Sequence, residues 1–241
     1  MSHPTHTGVP DFDRLEFDPL EDSADEKAYA DRFAREYPDT FARYLKRRWV
    51  VFAVAYVGYV CAYLVRNNFK LQSESIRLEN GWELTQIGLI LTAFTITYGF
   101  AKFFMGMVSD RVSLRRIFAG CLAISAVICI AMGFTHNYWL LFIMMLALGT
   151  VQGALAPSSM AMIANWYPNR SRGSGIAIWN TSQNLGGAGL PLMLTWIATL
   201  SGSTSTMLGF LIPGLLVLVL CFVFWKLGGD RPEDEGMPRL S

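Results

Sequence analysis

Between Ile117 and Asn169 the sequence reads IFAGCLAISAVICIAMGFTHNYWLLFIMMLALGTVQGALAPSSMAMIANWYPN, 53 residues without one Asp, Glu, Lys or Arg. A helix crosses the hydrocarbon core with about 20 apolar residues, so a run of this length holds two crossings joined by a turn. The turn is legible inside it as Gly133-Phe-Thr-His-Asn137, residues that favour chain reversal. A second uncharged run of 53 residues, Gly173 to Trp225, has its own turn between Ser201 and Thr206. Two earlier crossings follow from the same logic, Trp49 into the Arg66 region and Leu84 to Met107. The fold class is therefore an all-α membrane protein with six transmembrane helices, near 46–70, 84–107, 115–134, 138–165, 173–200 and 206–227.

Composition agrees. Apolar residues make up 52% of the 241 and charged ones only 16%, against about 25% in an ordinary soluble domain. The net charge of +1 hides a split: residues 1–41 hold 11 acidic and 4 basic groups, and the remainder holds 8 acidic and 16 basic. The chain divides into an acidic leader (1–45), the bundle (46–227) and the start of a loop (228–241). Within the leader, Ser23 to Arg48 suits a short surface helix broken near Pro38, and the leader is given no chemistry. No basic flank precedes an apolar stretch before Trp49, so no cleaved signal peptide is expected.

Lys and Arg in short loops mark the cytoplasmic side. Lys46, Arg47, Arg48, Arg111, Arg115, Arg116, Arg170, Arg172, Lys226 and Arg231 collect on one side. The other has only Lys70 and Arg77, in a first loop shared with Glu74, Glu79 and Glu83. Both termini are expected in the cytoplasm, in a multi-pass protein of a bacterial inner membrane. The four cysteines lie in apolar runs without a ligand cluster, and no hydrolase, metalloprotease or nucleotide-binding motif occurs. No enzyme activity, metal, cofactor or nucleic-acid partner is expected.

A charge at bilayer depth is costly, which makes each one a functional candidate. Lys102 follows 18 uncharged residues and precedes Phe103 to Met105, inside the second crossing. Tyr59, Tyr63, Arg66 and Lys70 are spaced four, three and four apart, so they form one stripe along the first helix. Thr95, Tyr98 and Lys102 repeat the pattern on the second. Such stripes suit a polar anion pathway, although hydropathy alone also lets Arg66 snorkel to the surface. The fourth crossing contains Gly149, Gln152, Gly153 and Pro157, and the fifth contains Trp179, Asn180, Gln183, Asn184, Gly186, Gly187 and Pro191. Glycines serve close helix packing. For the amides, interhelical hydrogen bonding and solute contact both remain open.

The loop Gly106-Met-Val-Ser-Asp110-Arg111-Val-Ser-Leu-Arg115-Arg116 resembles the Gly-x-x-x-Asp-Arg-x-x-x-Arg-Arg signature of the major facilitator superfamily, at the expected topological place. In that superfamily the motif is a cytoplasmic latch, so the resemblance gives Gly106, Asp110, Arg111, Arg115 and Arg116 a gating role. Four further strings narrow it: Tyr63-Leu-Val-Arg66-Asn-Asn-Phe69, Tyr98-Gly-Phe-Ala-Lys102-Phe-Phe-Met-Gly106, Trp179-Asn-Thr-Ser-Gln-Asn184-Leu-Gly-Gly187 and Asp230-Arg-Pro-Glu233-Asp-Glu-Gly236-Met-Pro238. They look like the organophosphate:inorganic phosphate antiporters, the group with glycerol-3-phosphate, hexose-6-phosphate and phosphoglycerate transporters.

The resemblance implies that Arg66 binds the phosphoryl group of the solute and that Tyr59 and Lys102 line the phosphate site. Tyr63, Gln152, Asn180 and Gln183 complete the expected substrate-binding set. Gln183 stands where the family commonly has histidine, and a glutamine cannot switch protonation. The family has twelve helices with a second phosphate-binding arginine on the seventh, whereas this sequence corresponds to the first six. The expected function is exchange of a phosphorylated organic anion for inorganic phosphate by a truncated or split half-transporter needing a second six-helix half. The alternatives are a sugar-phosphate sensor partnering a histidine kinase, or a non-functional remnant.

Overall fold

The computed structural model describes residues 23–108, 112–202 and 205–238. All the regular structure among them is helical: α1 Ser23–Glu36, α2 Pro38–Arg66, α3 Asn68–Asn80, α4 Leu84–Val108, α5 Leu114–Met132, α6 Tyr138–Gln152, α7 Leu155–Trp166, α8 Asn169–Asn180, α9 Ser182–Ser201 and α10 Thr206–Leu227, then a short 3-10 turn at Glu233–Glu235. Five helical stretches are long and apolar enough to cross a bilayer: Pro38–Asn80, Leu84–Met105, Leu114–Met132, Tyr138–Trp166 and Thr206–Leu227. The sixth member of the bundle is the α8–α9 pair, diluted by amides and glycines. Large apolar side chains such as Trp49, Phe103, Trp139 and Trp196 are exposed on the outside, an arrangement that suits lipid and not water.

Three of the expected crossings are interrupted. The first runs from Pro38 to Arg66, breaks at Asn67 and continues to Asn80, so Lys70, Glu74 and Arg77 lie on a helix instead of in a loop. The fourth breaks at Gly153 and Ala154, between α6 and α7. Pro157 lacks the N–H that would bond the Gly153 carbonyl, which accounts for this interruption. The fifth begins earlier than expected, at Asn169, and breaks at Thr181. There the hydroxyls of Thr181 and Ser182 donate to the carbonyls of Ile178 and Trp179, at 2.7 and 2.6 Å, back-bonding of the kind that bends helices.

Packing centres on α2, which touches α9, α10, α7 and α5, while α4 packs on α6 and α5 on α10. The α4–α6 contact is close because Gly149 and Gly153 face it: a Cβ at Gly149 would stand 2.6 Å from the Phe94 carbonyl oxygen, and one at Gly153 would stand 2.7 Å from the Lys102 backbone nitrogen. The core is filled by Trp166, Tyr44, Phe33, Phe69, Phe118 and Phe210, all fully buried.

At the basic end two carboxylates cap helices. Asp230 accepts from the Ser113 hydroxyl and the Arg115 backbone N–H, both at 2.6 Å, at the start of α5. Glu26 of α1, 5% exposed, accepts from the backbone N–H groups of Asn169 and Arg170 at 2.6 and 3.3 Å. A negative group at a helix start satisfies orphan donors and meets the positive end of the dipole. Arg47 holds Glu235 through a forked pair and also donates to the carbonyls of Leu227 and Gly228 at 2.7 and 3.1 Å. The break expected near Pro38 is present, at Tyr37. Within the leader, α1 buries Glu26, Tyr29 and Phe33. Burial raises the Tyr167 phenol above its usual range, opposed by Arg48, whose guanidinium carbon lies 5.1 Å from the ring centroid.

Candidate functional site

Helical spacing places Tyr59, Tyr63 and Arg66 on one face of α2, and the fold turns that face toward α4 and the α8–α9 break. The guanidinium carbon of Arg66 lies 4.1 Å from the ring centroid of Tyr98 and 5.2 Å from those of Tyr63 and Phe94. Phe94 and Tyr98, one turn apart on α4, stack at 5.8 Å. Three aromatic faces therefore surround the cation, and among the described residues no carboxylate pairs with it. Ring quadrupoles stabilise the charge without consuming the N–H donors. The fork of donors remains available to an anion.

Lys102 is exposed, with its ammonium 6.0 Å from the same Tyr98 ring. The two cations that the sequence singles out thus share one aromatic neighbour. On the opposite flank, the Tyr63 hydroxyl donates to Gln183 Oε1 at 3.0 Å, and Gln183 Nε2 donates to Asn180 Oδ1 at 3.1 Å. The Tyr56 hydroxyl and Thr181 Oγ1 are 3.0 Å apart. Tyr59 is buried between Tyr63 and Trp179, with ring centroids at 5.4 and 4.5 Å. Close approach of α2 and α9 is permitted by Gly186, where a Cβ would meet Tyr63 Cβ at 2.6 Å.

One expected member, Gln152, and one residue of the stripe, Lys70, stand apart. Gln152 is buried at 3% exposure, and its amide donates to the Ala62 carbonyl at 3.2 Å, so it joins α6 to α2 inside the core. Lys70 continues the stripe only beyond the Asn67 break and is exposed. Of the expected gating motif, Gly106 lies in the last turns of α4, whereas Asp110 and Arg111 fall outside the described residues. Arg115 offers its backbone N–H to Asp230, and the Arg116 N–H reaches Ser113 Oγ at 3.4 Å. Sequence reasoning missed Phe94 as a member of the cage. Its only signal is its place one turn before Tyr98, which singly is no more than core packing.

Comparison with known proteins supplies the family. A family model described as Major Facilitator Superfamily matches residues 55–239. The chain belongs to the major facilitator superfamily. Among its relatives, a glycerol-3-phosphate transporter of Bacillus subtilis is 35% identical over 205 residues, covering 83% of this chain and 45% of the relative. A phosphoglycerate transporter protein of Salmonella typhimurium is 30% identical over 203 residues, covering 84% and 43%. A membrane sensor protein, UhpC, of Escherichia coli is 31% identical over 201 residues, covering 83% and 45%. The chain spans a little under half the length of these relatives.

The fold of this facilitator chain matches a solved bacterial homologue of the human lysosomal transporter Spinster, inward-facing and unoccupied, with a TM-score of 0.66 over 77% of this chain and 44% of that one, at 17% identity. The superfamily expectation and the all-α fold of an N-terminal facilitator half therefore stand, and the protein is a multi-pass membrane protein of this superfamily.

Proposed function

We infer that the chain forms the phosphate-binding N-terminal half of a transporter that exchanges a phosphorylated organic anion for inorganic phosphate. The observation that carries this reading is Arg66: a cation held by three rings with no carboxylate partner among the described residues, on the face shared with Lys102 and the Tyr63–Gln183–Asn180 chain. Phosphoryl oxygens accept two parallel bonds from a guanidinium. Lys102 adds a mobile point charge, and the Tyr63 hydroxyl and the amides suit the polar remainder of the solute. The relatives that transport glycerol-3-phosphate and phosphoglycerate support the substrate class.

Alternating access rocks one six-helix half against another around a shared site. The exposed face of α4, with Thr95, Ile96, Phe100 and Phe103, is the surface we assign to that second half. The basic end lies in the cytoplasm of a bacterial inner membrane. The test is uptake of radiolabelled glycerol-3-phosphate, 3-phosphoglycerate or glucose-6-phosphate into phosphate-loaded proteoliposomes bearing this chain together with a second half. Exchange that requires internal phosphate and is lost in Arg66→Lys supports the reading; uptake indifferent to both overturns it.

A second reading, a sugar-phosphate sensor, is favoured by the similarity to membrane sensor proteins. It keeps the Arg66 site and dispenses with rapid exchange, so phosphate-ester binding without exchange in the same vesicles distinguishes it.

A further inference from the structure

α10 carries Pro213 in its interior. Proline has no N–H, so the carbonyl four residues earlier, on Gly209, loses its helical partner. In a bilayer an orphaned carbonyl is costly unless a neighbour satisfies it. The neighbour here is Asn68, fully buried, whose Nδ2 donates to the Gly209 oxygen at 2.8 Å. Its Oδ1 accepts from Gln72 Nε2 one turn along α3, and the Gln72 amide occupies the space over Gly209 that any side chain at 209 would need. From α5, the Cys129 thiol sits 3.6 Å from Asn68 Nδ2 and 3.7 Å from the Phe210 carbonyl oxygen. One polar node thus ties α3 to both α5 and α10.

Asn68 is also the first residue of α3, two positions after Arg66 across the Asn67 break. The other asparagine of the pair lies near α9. Asn67 Nδ2 stands 4.0 Å from where a Cβ on Gly187 would be, and the Gly187 carbonyl is the one that Pro191 deprives of its partner in α9. Adjacent amides at the α2–α3 junction therefore lie against the two proline-containing helices, Asn67 in van der Waals range of α9 and Asn68 hydrogen-bonded to α10. An anchor two residues from Arg66 fixes the point from which its side chain departs, whereas among the described residues the Arg66 guanidinium itself is held by ring faces, which resist rotation weakly.

We propose that Asn68, docked on the Gly209 carbonyl that Pro213 leaves free, is the positioning residue that sets the depth and direction of Arg66 in its cage of Tyr63, Phe94 and Tyr98. The inference rests on reading Arg66 as the anion-binding group. It separates from a purely structural role because Pro213→Ala restores an N–H to the Gly209 carbonyl: the double variant Asn68→Ala/Pro213→Ala has the carbonyl satisfied and the tether absent.

The test is chemical modification of the full chain in membranes with phenylglyoxal, an arginine reagent, with the rate at Arg66 read by peptide mass spectrometry relative to Arg77, a part-buried arginine paired with Glu74. Asn68→Ala raises the Arg66:Arg77 ratio by about threefold or more, on the usual scale for coupled neighbours, and the double variant keeps the rise over Pro213→Ala alone. An unchanged ratio overturns the proposal, as does a return to the wild-type ratio in the double variant, which makes Asn68 no more than a filler for the carbonyl. Should Asn68→Ala fail to accumulate, the double variant against Pro213→Ala decides the matter alone. Inorganic phosphate in the same assay protects Arg66 of the wild type; absence of protection overturns the anion-site reading and leaves the tether to be judged by the ratio.

Discussion

Arg66 of α2 and Tyr98 of α4 meet with the guanidinium carbon 4.1 Å from the ring centroid, although the two helices hardly touch through their backbones. Side chains, not packed backbone, span this gap. Replacing Tyr98 by Leu removes one ring face and weakens inorganic phosphate binding by roughly 0.5 to 2 kcal/mol, while Tyr98→Phe keeps most of it. Phosphate titration of the purified protein checks both, and equal affinity in the Leu variant counts against a role for the ring.

For Arg66 itself, Lys keeps the charge and loses the planar fork. Arg66→Lys weakens phosphate-ester binding by about 1.5 to 3 kcal/mol, the range for a hydrogen bond to a charged group. Titration with glycerol-3-phosphate reads the loss.

Close approach of α4 and α6 leaves no room at two positions. Gly149→Ala pushes a methyl against the Phe94 carbonyl and destabilises the protein by about 1 to 3 kcal/mol, the cost of overpacking. Gly99→Ala on the same α4 meets nothing within 4 Å. Thermal unfolding in detergent separates the two, and a stable Gly149→Ala protein contradicts the packing described.

How far the sequence carries can be judged residue by residue. Lys102 and Arg66 were legible because a charge in an apolar run stands out, and the six-membered bundle followed from uncharged length. The breaks at Asn67 and Thr181 were not, because each is set by side chains committed to partners distant in sequence or to back-bonded hydroxyls. Gln152 resembled a solute contact for the same reason that Gln183 did: an amide in an apolar helix says only that some partner exists. The partner is Ala62 in one case and Tyr63 in the other, a choice made by the rotation of each helix in the bundle.

Topology is tested separately, because loop charge alone carries it. Reporter fusions after Asn137 read as external, and those after Ser113 and Ser171 read as cytoplasmic. An external signal at Ser113 reverses the assignment of the basic end.

Glu26 makes a prediction about the leader. Glu26→Gln weakens the contact with the Asn169 and Arg170 N–H groups, and Glu26→Ala removes it, at about 1 kcal/mol for a lost helix cap. Trypsin cleavage at Lys27, Arg32 and Arg35 then speeds up in the Ala variant. An unchanged cleavage rate places the holding force in Tyr29 and Phe33 alone.

α8 is gripped at both ends by parts of the chain far apart in sequence. Its first N–H groups belong to an acid of the leader, and its last residue, Asn180, belongs to the amide chain beside Arg66. A helix of 12 residues is a stiff strut about 18 Å long. The leader and the polar site, 143 residues or more apart in sequence at Glu26 and Asn169, therefore meet opposite ends of the same short rod of backbone.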